Sequence, residues 1–175
     1  MEATGSSARL DVAGSGTASV DTGIPALDHL VSLLASYGRF DLTLEVAPAP
    51  GEAEVAAAAR ALGEALSPPL HAADARGYGA ATLPADEALA HVALEASSSP
   101  RLVTNVDLSE ALIGGVGSDV VAAFLRGLAE TAGLTLHVRL VDGEDPQHVL
   151  DAIFKTLGVA LARATGRVTK EEADG

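Results

Sequence analysis

The chain has no cysteine, no tryptophan, one methionine and only two lysines in 175 residues. Without cysteine there is no disulfide, no thiolate nucleophile and no sulfur-ligated metal, so any ion must be held by imidazole, carboxylate or amide oxygen. Three phenylalanines and two tyrosines are the whole aromatic complement, which removes the platforms on which unpaired bases stack. Basic residues are also scarce, 11 against 24 acidic ones, and the formal charge of −13 repels phosphate backbones. Nucleic acid is therefore not the expected partner. Long hydrophobic runs are missing too: Val55 to Ala59 and Val120 to Leu125 fall far short of the roughly 20 residues of a membrane span. The start, Met1-Glu2-Ala3-Thr4-Gly5-Ser6-Ser7, is acidic and polar where a signal peptide is basic and then apolar. The expected location is the cytoplasm, with no membrane contact.

What the chain has in excess is alanine, 35 residues or one in five, within an apolar content of 48%. Such a core must be built from small aliphatic side chains in close contact. The length suits one domain, or two small halves sharing a core.

Helical periodicity appears in four places. Thr22 to Gly38 carries Leu27, Leu30, Val31 and Leu34 at helical spacing, with an early proline and a closing glycine. Ser118 to Gly133 repeats that plan with Val120, Val121, Phe124, Leu125 and Leu128. Glu52 to Leu66 is an alanine-rich helix. Asp145-Pro146 supplies an N-cap and first-turn proline to a fourth, running to about Ala164. Alternating runs at Phe40–Val46, Leu89–Ala96, Arg101–Leu108 and Leu134–Val141, with shorter ones near Ala8–Ala13 and Gly77–Leu83, predict strands between the helices. The expected class is α+β, sheets covered by helices on one face.

The two halves echo one another. Leu42-Thr43-Leu44-Glu45-Val46 matches Leu134-Thr135-Leu136-His137-Val138, and Ala61-Leu62-Gly63-Glu64-Ala65-Leu66 matches Thr156-Leu157-Gly158-Val159-Ala160-Leu161. Each match follows a helix that ends in glycine, so the order helix, strand, helix occurs twice and indicates a duplication. One domain is expected over 1–175, in repeated halves at about 8–75 and 76–165, with 166–175 as a flexible tail.

Chemistry-bearing residues cluster on the fourth helix. His148, Asp151 and Lys155 share one face, while Val149, Leu150, Ile153, Phe154, Leu157 and Leu161 cover the other. That stripe fits a helix at a site, and equally a solvent-facing helix with an Asp151–Lys155 pair. His29 and His137 gain weight only from their position relative to His148. The glycine strings Gly14-Ser15-Gly16 and Gly114-Gly115-Val116-Gly117 fit no phosphate-binding fingerprint and read as turns. His71 and His91 have no partner at ligand spacing.

Taken together, Thr22-Gly23-Ile24-Pro25-Ala26-Leu27-Asp28-His29-Leu30, Gly38-Arg39-Phe40-Asp41-Leu42-Thr43, Pro84-Ala85-Asp86-Glu87-Ala88, Ala132-Gly133-Leu134-Thr135-Leu136-His137 and Ala152-Ile153-Phe154-Lys155 resemble the imidazoleglycerol-phosphate dehydratase family of histidine biosynthesis. The resemblance runs from about Thr22 to Ala164 with the order of the blocks kept. It implies an internally duplicated α+β domain, two four-stranded sheets with helices between them, assembling as trimers or as a 24-subunit shell. It also implies two manganese ions at subunit interfaces, where a hydro-lyase reaction takes water from the glycerol-phosphate arm.

The ligand motif departs from the family. Its two equivalent helices each begin His-His-x-x-Glu, and here the first copy falls on Glu52, Ala53 and Ala56, the second on Gln147, His148 and Asp151. The isolated ligand histidines correspond to His29 and His137. One metal position keeps His29 and His148 but faces Ala53 and Ala56; the other is lined by Glu52, His137, Gln147 and Asp151. Two imidazoles without a carboxylate make a weak manganese site, so the expected complement is no metal, or at most one divalent ion. Phosphate contacts are thinned: Gly77-Tyr78-Gly79 replaces an Arg-aromatic-Gly element with Arg76 one place early, Arg101 stands one place late of a second arginine, and Lys170 is followed by Glu171 and Glu172. Asp86 and Lys155 remain as catalytic candidates. The expectation is a pseudoenzyme that keeps fold and assembly, as a structural shell subunit or beside an active paralogue; the alternative is a divergent dehydratase with a single-metal site at Glu52, His137 and Asp151.

Overall fold

The computed structural model describes residues 5–106, 112–113 and 116–166. In the first sheet, β1 (Ser7–Asp11) and β2 (Ala18–Asp21) flank β3 (Asp41–Glu45), β1 antiparallel and β2 parallel to it. In the second, β4 (Tyr78–Ala85), β5 (Ala88–Ala96), β9 (Leu134–Asp142) and β6 (Arg101–Thr104) lie in that order, with β5 antiparallel and β6 parallel to β9. A short hairpin joins β7 (Leu112–Ile113) and β8 (Val116–Gly117). The helices are α1 (Pro25–Gly38), α2 (Gly51–Leu70), α3 (Ser118–Ala132) and α4 (Pro146–Thr165).

Alternation sets which face of each strand enters the core. Leu42 and Leu44 of β3 point inward, as do Val92 and Leu94 of β5 and Leu134, Leu136 and Val138 of β9. Helices α1 and α2 lie on the first sheet, α3 and α4 on the second, and the helices meet between them as the pairs α1–α4 and α2–α3. All three phenylalanines, Phe40, Phe124 and Phe154, are fully buried in this middle layer. The α+β class and the placement of helices between sheets agree with the sequence reading; the second sheet has four strands and the first has three among the described residues.

The duplication is legible residue by residue. Adding 94 to the buried positions of α1, Leu27, Leu30, Val31, Leu34, Ala35 and Gly38, gives Val121, Phe124, Leu125, Leu128, Ala129 and Ala132, all buried in α3. Adding 95 to those of α2, Val55, Ala58, Ala59, Ala61, Leu62, Gly63, Leu66 and Leu70, gives Leu150, Ile153, Phe154, Thr156, Leu157, Gly158, Leu161 and Thr165, all buried in α4. Sheet register repeats as well. Thr43 faces Arg9 on one side and Ser19 on the other, and Thr135 faces Glu95 and Arg101. Each helix pair thus joins the first helix of one half to the second helix of the other.

Alanine and glycine do their work at these crossings. A Cβ on Gly158 would press on the Leu34 carbonyl oxygen and the Gly38 nitrogen, and one on Gly63 would meet Thr131 and the Ala132 nitrogen. Both crossings therefore require backbone close to backbone, which only small residues allow.

Strands β2, β7 and β8 lie where the sequence reading placed none, and the ends of β6 and α2 each differ from expectation by four residues. Strand β2 was not anticipated from four residues behind a glycine-rich turn. Strand β6 stops at Thr104, because the Asn105 side chain takes over the ladder, donating to the Leu140 carbonyl at 3.3 Å and accepting from its N–H at 2.8 Å; the last two residues of the expected run, Asp107 and Leu108, lie outside the described residues. Helix α2 runs past Pro68 and Pro69 to Leu70. Leu70 is buried at the end of that turn and the His71 N–H still reaches the Ser67 carbonyl, which holds the turn where proline alone would end it. Of the expected tail, Gly166 accepts from the Arg76 N–H at 2.8 Å; residues 167–175, Lys170 included, lie outside the described residues, as does Gly114-Gly115.

Candidate functional site

The Thr22–His29 motif is a helix start. Its N-cap residue, Ile24, offers no side-chain cap. Instead Asp28 reaches back to accept from the Thr22 N–H at 2.7 Å and the Thr22 hydroxyl at 2.5 Å, and Pro25 supplies a helical φ in the first turn. Gly23, at φ +83°, makes the entering bend; a Cβ there would meet the Glu54 carboxylate. This start sets His29 one residue beyond Asp28, on the side of α1 that faces α4.

Helix α4 begins as the sequence predicts. The Asp145 carboxylate accepts from the N–H groups of Gln147 and His148, at 2.8 and 3.3 Å, with Pro146 behind it. One turn on, Asp151 Oδ1 receives the Gln147 side-chain amide at 2.8 Å and lies 3.0 Å from His29 Nε2. His148 points elsewhere, 100° around the helix from Gln147. Its Nδ1 is 2.7 Å from Glu87 Oε1, and its Nε2 is 3.4 Å from Asp86 Oδ2. Asp86, at φ +52°, and Glu87 are the two turn residues of the β4–β5 hairpin.

Glu87 binds with both oxygens, since Oε2 accepts from the N–H groups of Asp145 at 2.8 Å and Glu144 at 3.1 Å. The Asp145 N–H first, then His148 and the Glu144 N–H, draw its carboxyl from the ordinary 4.5 down to about 2. The same hydrogen bond to Glu87 raises His148 above the ordinary 6.5, with the charges of Asp145, Glu87 and Asp86 adding against some loss of hydration. Lys155, two turns along α4, donates to the Pro84 carbonyl at 3.1 Å and sits 4.9 Å from the centre of the Tyr37 ring. It ties α4 to β4 and α1.

The remaining candidates lie elsewhere. Arg76 and His137 line a cavity of about 690 Å³ with Tyr78, Glu95, Thr135 and Arg163. Arg101 is exposed on β6, opposite Thr135 in register. Glu52 opens α2 in a separate groove of about 400 Å³ between α2 and α3, with Ala56, Arg60, Asp119 and Ala123 among its walls. One protomer therefore brings together His29 and Asp151, and separately His148 with Asp86. The family grouping implied His29 with His148, and Asp151 with Glu52 and His137. That grouping belongs to interfaces between subunits; within one protomer the amide of Gln147 holds Asp151 on the α1 side of the helix, while Glu87 draws His148 to the hairpin. His71 and His91, set aside on spacing, have structural partners, the Ala132 carbonyl at 3.0 Å and the Thr82 hydroxyl at 2.7 Å.

Sequence reasoning passed over Glu87, Arg163 and the pairing role of Gln147. Glu87 stands beside the candidate Asp86, yet its partners lie 57 to 61 positions later, and no local pattern carries that. Arg163 gave only the signal of a basic residue in a helix's last turn.

The donor set that the resemblance groups at subunit interfaces is thinned on α2. Among the described residues no group of three or more histidine, aspartate or glutamate side chains converges to hold an ion. The helix register sharpens this, since adding 95 to Glu52, Ala53 and Ala56 gives Gln147, His148 and Asp151. The buried positions fix that register, so methyl groups occupy two of the three positions on α2.

Comparison with known proteins gives the family. The family model described as imidazoleglycerol-phosphate dehydratase matches residues 22–161. A Desulfitobacterium hafniense protein named imidazoleglycerol-phosphate dehydratase is 40% identical over 169 residues, covering 89% of this chain and 82% of its own length. One of that name from Pelobacter propionicus is 37% identical over 165 residues with the same two coverages. The chloroplastic protein of Pisum sativum is 37% identical over 168 residues, and this chain, 91% covered, spans 58% of its length. Among solved structures, imidazoleglycerol-phosphate dehydratase from Staphylococcus aureus superposes with a TM-score of 0.83 at 26% identity, covering 91% of this chain and 92% of that one. The Pyrococcus furiosus structure in complex with (S)-C348 gives 0.78 at 26% identity, covering 95% and 93%. Among the described residues, no helix is long and apolar enough to cross a membrane. The chain belongs to the imidazoleglycerol-phosphate dehydratase family.

Proposed function

We propose that this protein is a catalytically degenerate imidazoleglycerol-phosphate dehydratase homologue, keeping the family's fold and its assembly into trimers or a shell of trimers without its turnover. The observation that carries the reading is the register of α2 on α4: Glu52, Ala53 and Ala56 stand where Gln147, His148 and Asp151 stand in the other half. Alanine has no lone pair to give, and the surviving groups on α4 are engaged, Asp151 by Gln147 and His29, His148 by Glu87. Loss of water from an imidazole-bearing glycerol phosphate needs charge stabilisation on the ring and a placed acid or base, each worth about 10²–10⁴ in rate. Thinned phosphate contacts, with Arg76 one place early at Gly77-Tyr78-Gly79 and Arg101 one place late, support the same conclusion.

The test is turnover of imidazoleglycerol phosphate by protein incubated with MnCl₂, beside an active relative and with bound metal measured. The expected rate is lower by at least about 10²; a rate within tenfold of the relative overturns the reading. One observation favours a second reading, a divergent dehydratase with one divalent ion: His29 Nε2 and Asp151 Oδ1, at 3.0 Å, are placed as two ligands of one ion would be. That reading requires about one bound metal per chain and metal-dependent turnover.

A further inference from the structure

We propose that His29, Asp151 and Gln147 form a metal-independent clasp closing the α1–α4 pair, a structural use of positions that the family gives to its metal. The inference rests on the reading that no two-metal centre forms.

Two observations lead to it. The contacts His29–Asp151 and Leu34–Gly158 rise together in residue number, so α1 and α4 run parallel. They touch backbone to backbone at Gly38 and Gly158, where small residues let them close, and at His29 and Asp151 the closure is made by side chains. Asp151 is the hub: its Oδ1 takes the Gln147 amide from its own helix and the His29 imidazole from α1. The amide fixes the carboxylate's rotamer before the imidazole arrives, so little further ordering is required.

The second observation is the internal comparison that the duplication supplies. Adding 94 to His29 gives Ala123, and subtracting 95 from Asp151 gives Ala56, by the same offsets that relate the buried positions. Both alanines line the open groove of about 400 Å³ between α2 and α3. The Gly63–Thr131 crossing is preserved there, so one helix pair carries the polar bridge and its counterpart carries two methyl groups and a groove.

Thermal melting of the full chain tests this in EDTA and in MnCl₂. The clasp predicts that His29→Ala and Asp151→Ala each lower Tm by about 2–4 °C, the shift expected at this chain length for one hydrogen bond of ordinary strength. The double variant should fall no further than the lower of the two. Asp151→Asn, which keeps an oxygen facing α1, should retain most of the wild-type Tm and guards against an alanine variant that fails to fold. EDTA and MnCl₂ should leave the wild type unmoved. A Tm raised by MnCl₂ in the wild type but not in His29→Ala overturns the clasp in favour of a metal site, and single variants that leave Tm unchanged or add independently overturn it outright. Failure of the clasp in protein that shows no turnover leaves the proposed function standing, whereas manganese-dependent turnover removes both.

Discussion

At the scale of single residues, this chain turns carboxylates inward onto backbone N–H groups. Asp41 is the clearest case. Its Oδ1 accepts from the N–H of Ser15 at 2.9 Å and of Thr17 at 3.1 Å, and the Gly14–Thr17 turn wraps around it. Those N–H groups favour the charged form and hold the Asp41 carboxyl below its ordinary 3.8. A carboxyl with a lower pKa folded than unfolded stabilises the fold fully above the unfolded value, and that contribution is lost as pH falls through the folded value. Asp41→Ala should therefore lower Tm at pH 7, with the gap to wild type closing as pH drops below about 3.8; melting curves between pH 7 and pH 2 check it. The sequence showed Gly14-Ser15-Gly16 as a turn without showing what it turned around, since Asp41 lies 26 positions from Ser15. Glu87 was hidden for the same reason. His29, Asp151 and His148 were legible because each sits in a block whose helix signals are local, while their pairing was not, because it depends on which way neighbouring side chains are pulled.

At the scale of elements, helices were readable where caps and periodicity agreed. Asp145-Pro146 marked the start of α4, and α1, α3 and α4 ended within a residue or two of expectation. Helix α2 overran because tertiary burial of Leu70 outweighed two prolines, and β6 fell short because a side chain took the place of main chain in the ladder. The α1–α4 crossing gives a direct test. Gly158→Ala would put a methyl group against the Leu34 carbonyl, with neither backbone free to yield. It should destabilise by about 1–3 kcal/mol, the usual cost of overpacking, read as a lower denaturant midpoint at unchanged slope. In an isolated helix the same substitution would stabilise, so the sign of the effect separates crossing from propensity.

At the scale of the molecule, the proposed function ties part of the alanine excess to the site. Ala53 and Ala56 belong to the stretch that makes α2 look merely alanine-rich, and on the proposed reading they stand where ligands would. If assembly does not depend on metal, the mass in solution should be a multiple of the 17.5 kDa chain and unchanged by EDTA. Light scattering before and after chelation checks this; dissociation on chelation would contradict it. The exchange of helices between halves carries a consequence of its own. Because α1 lies on α4 and α2 on α3, neither half covers its own apolar helix face. A chain severed in the connection between Ala72 and Arg76 would leave two pieces, each the other's missing wall, held by packing and by the few bonds that cross between them, His29 to Asp151 and His71 to the Ala132 carbonyl. By the same geometry a half-length ancestor would have had to find its wall in a second copy of itself.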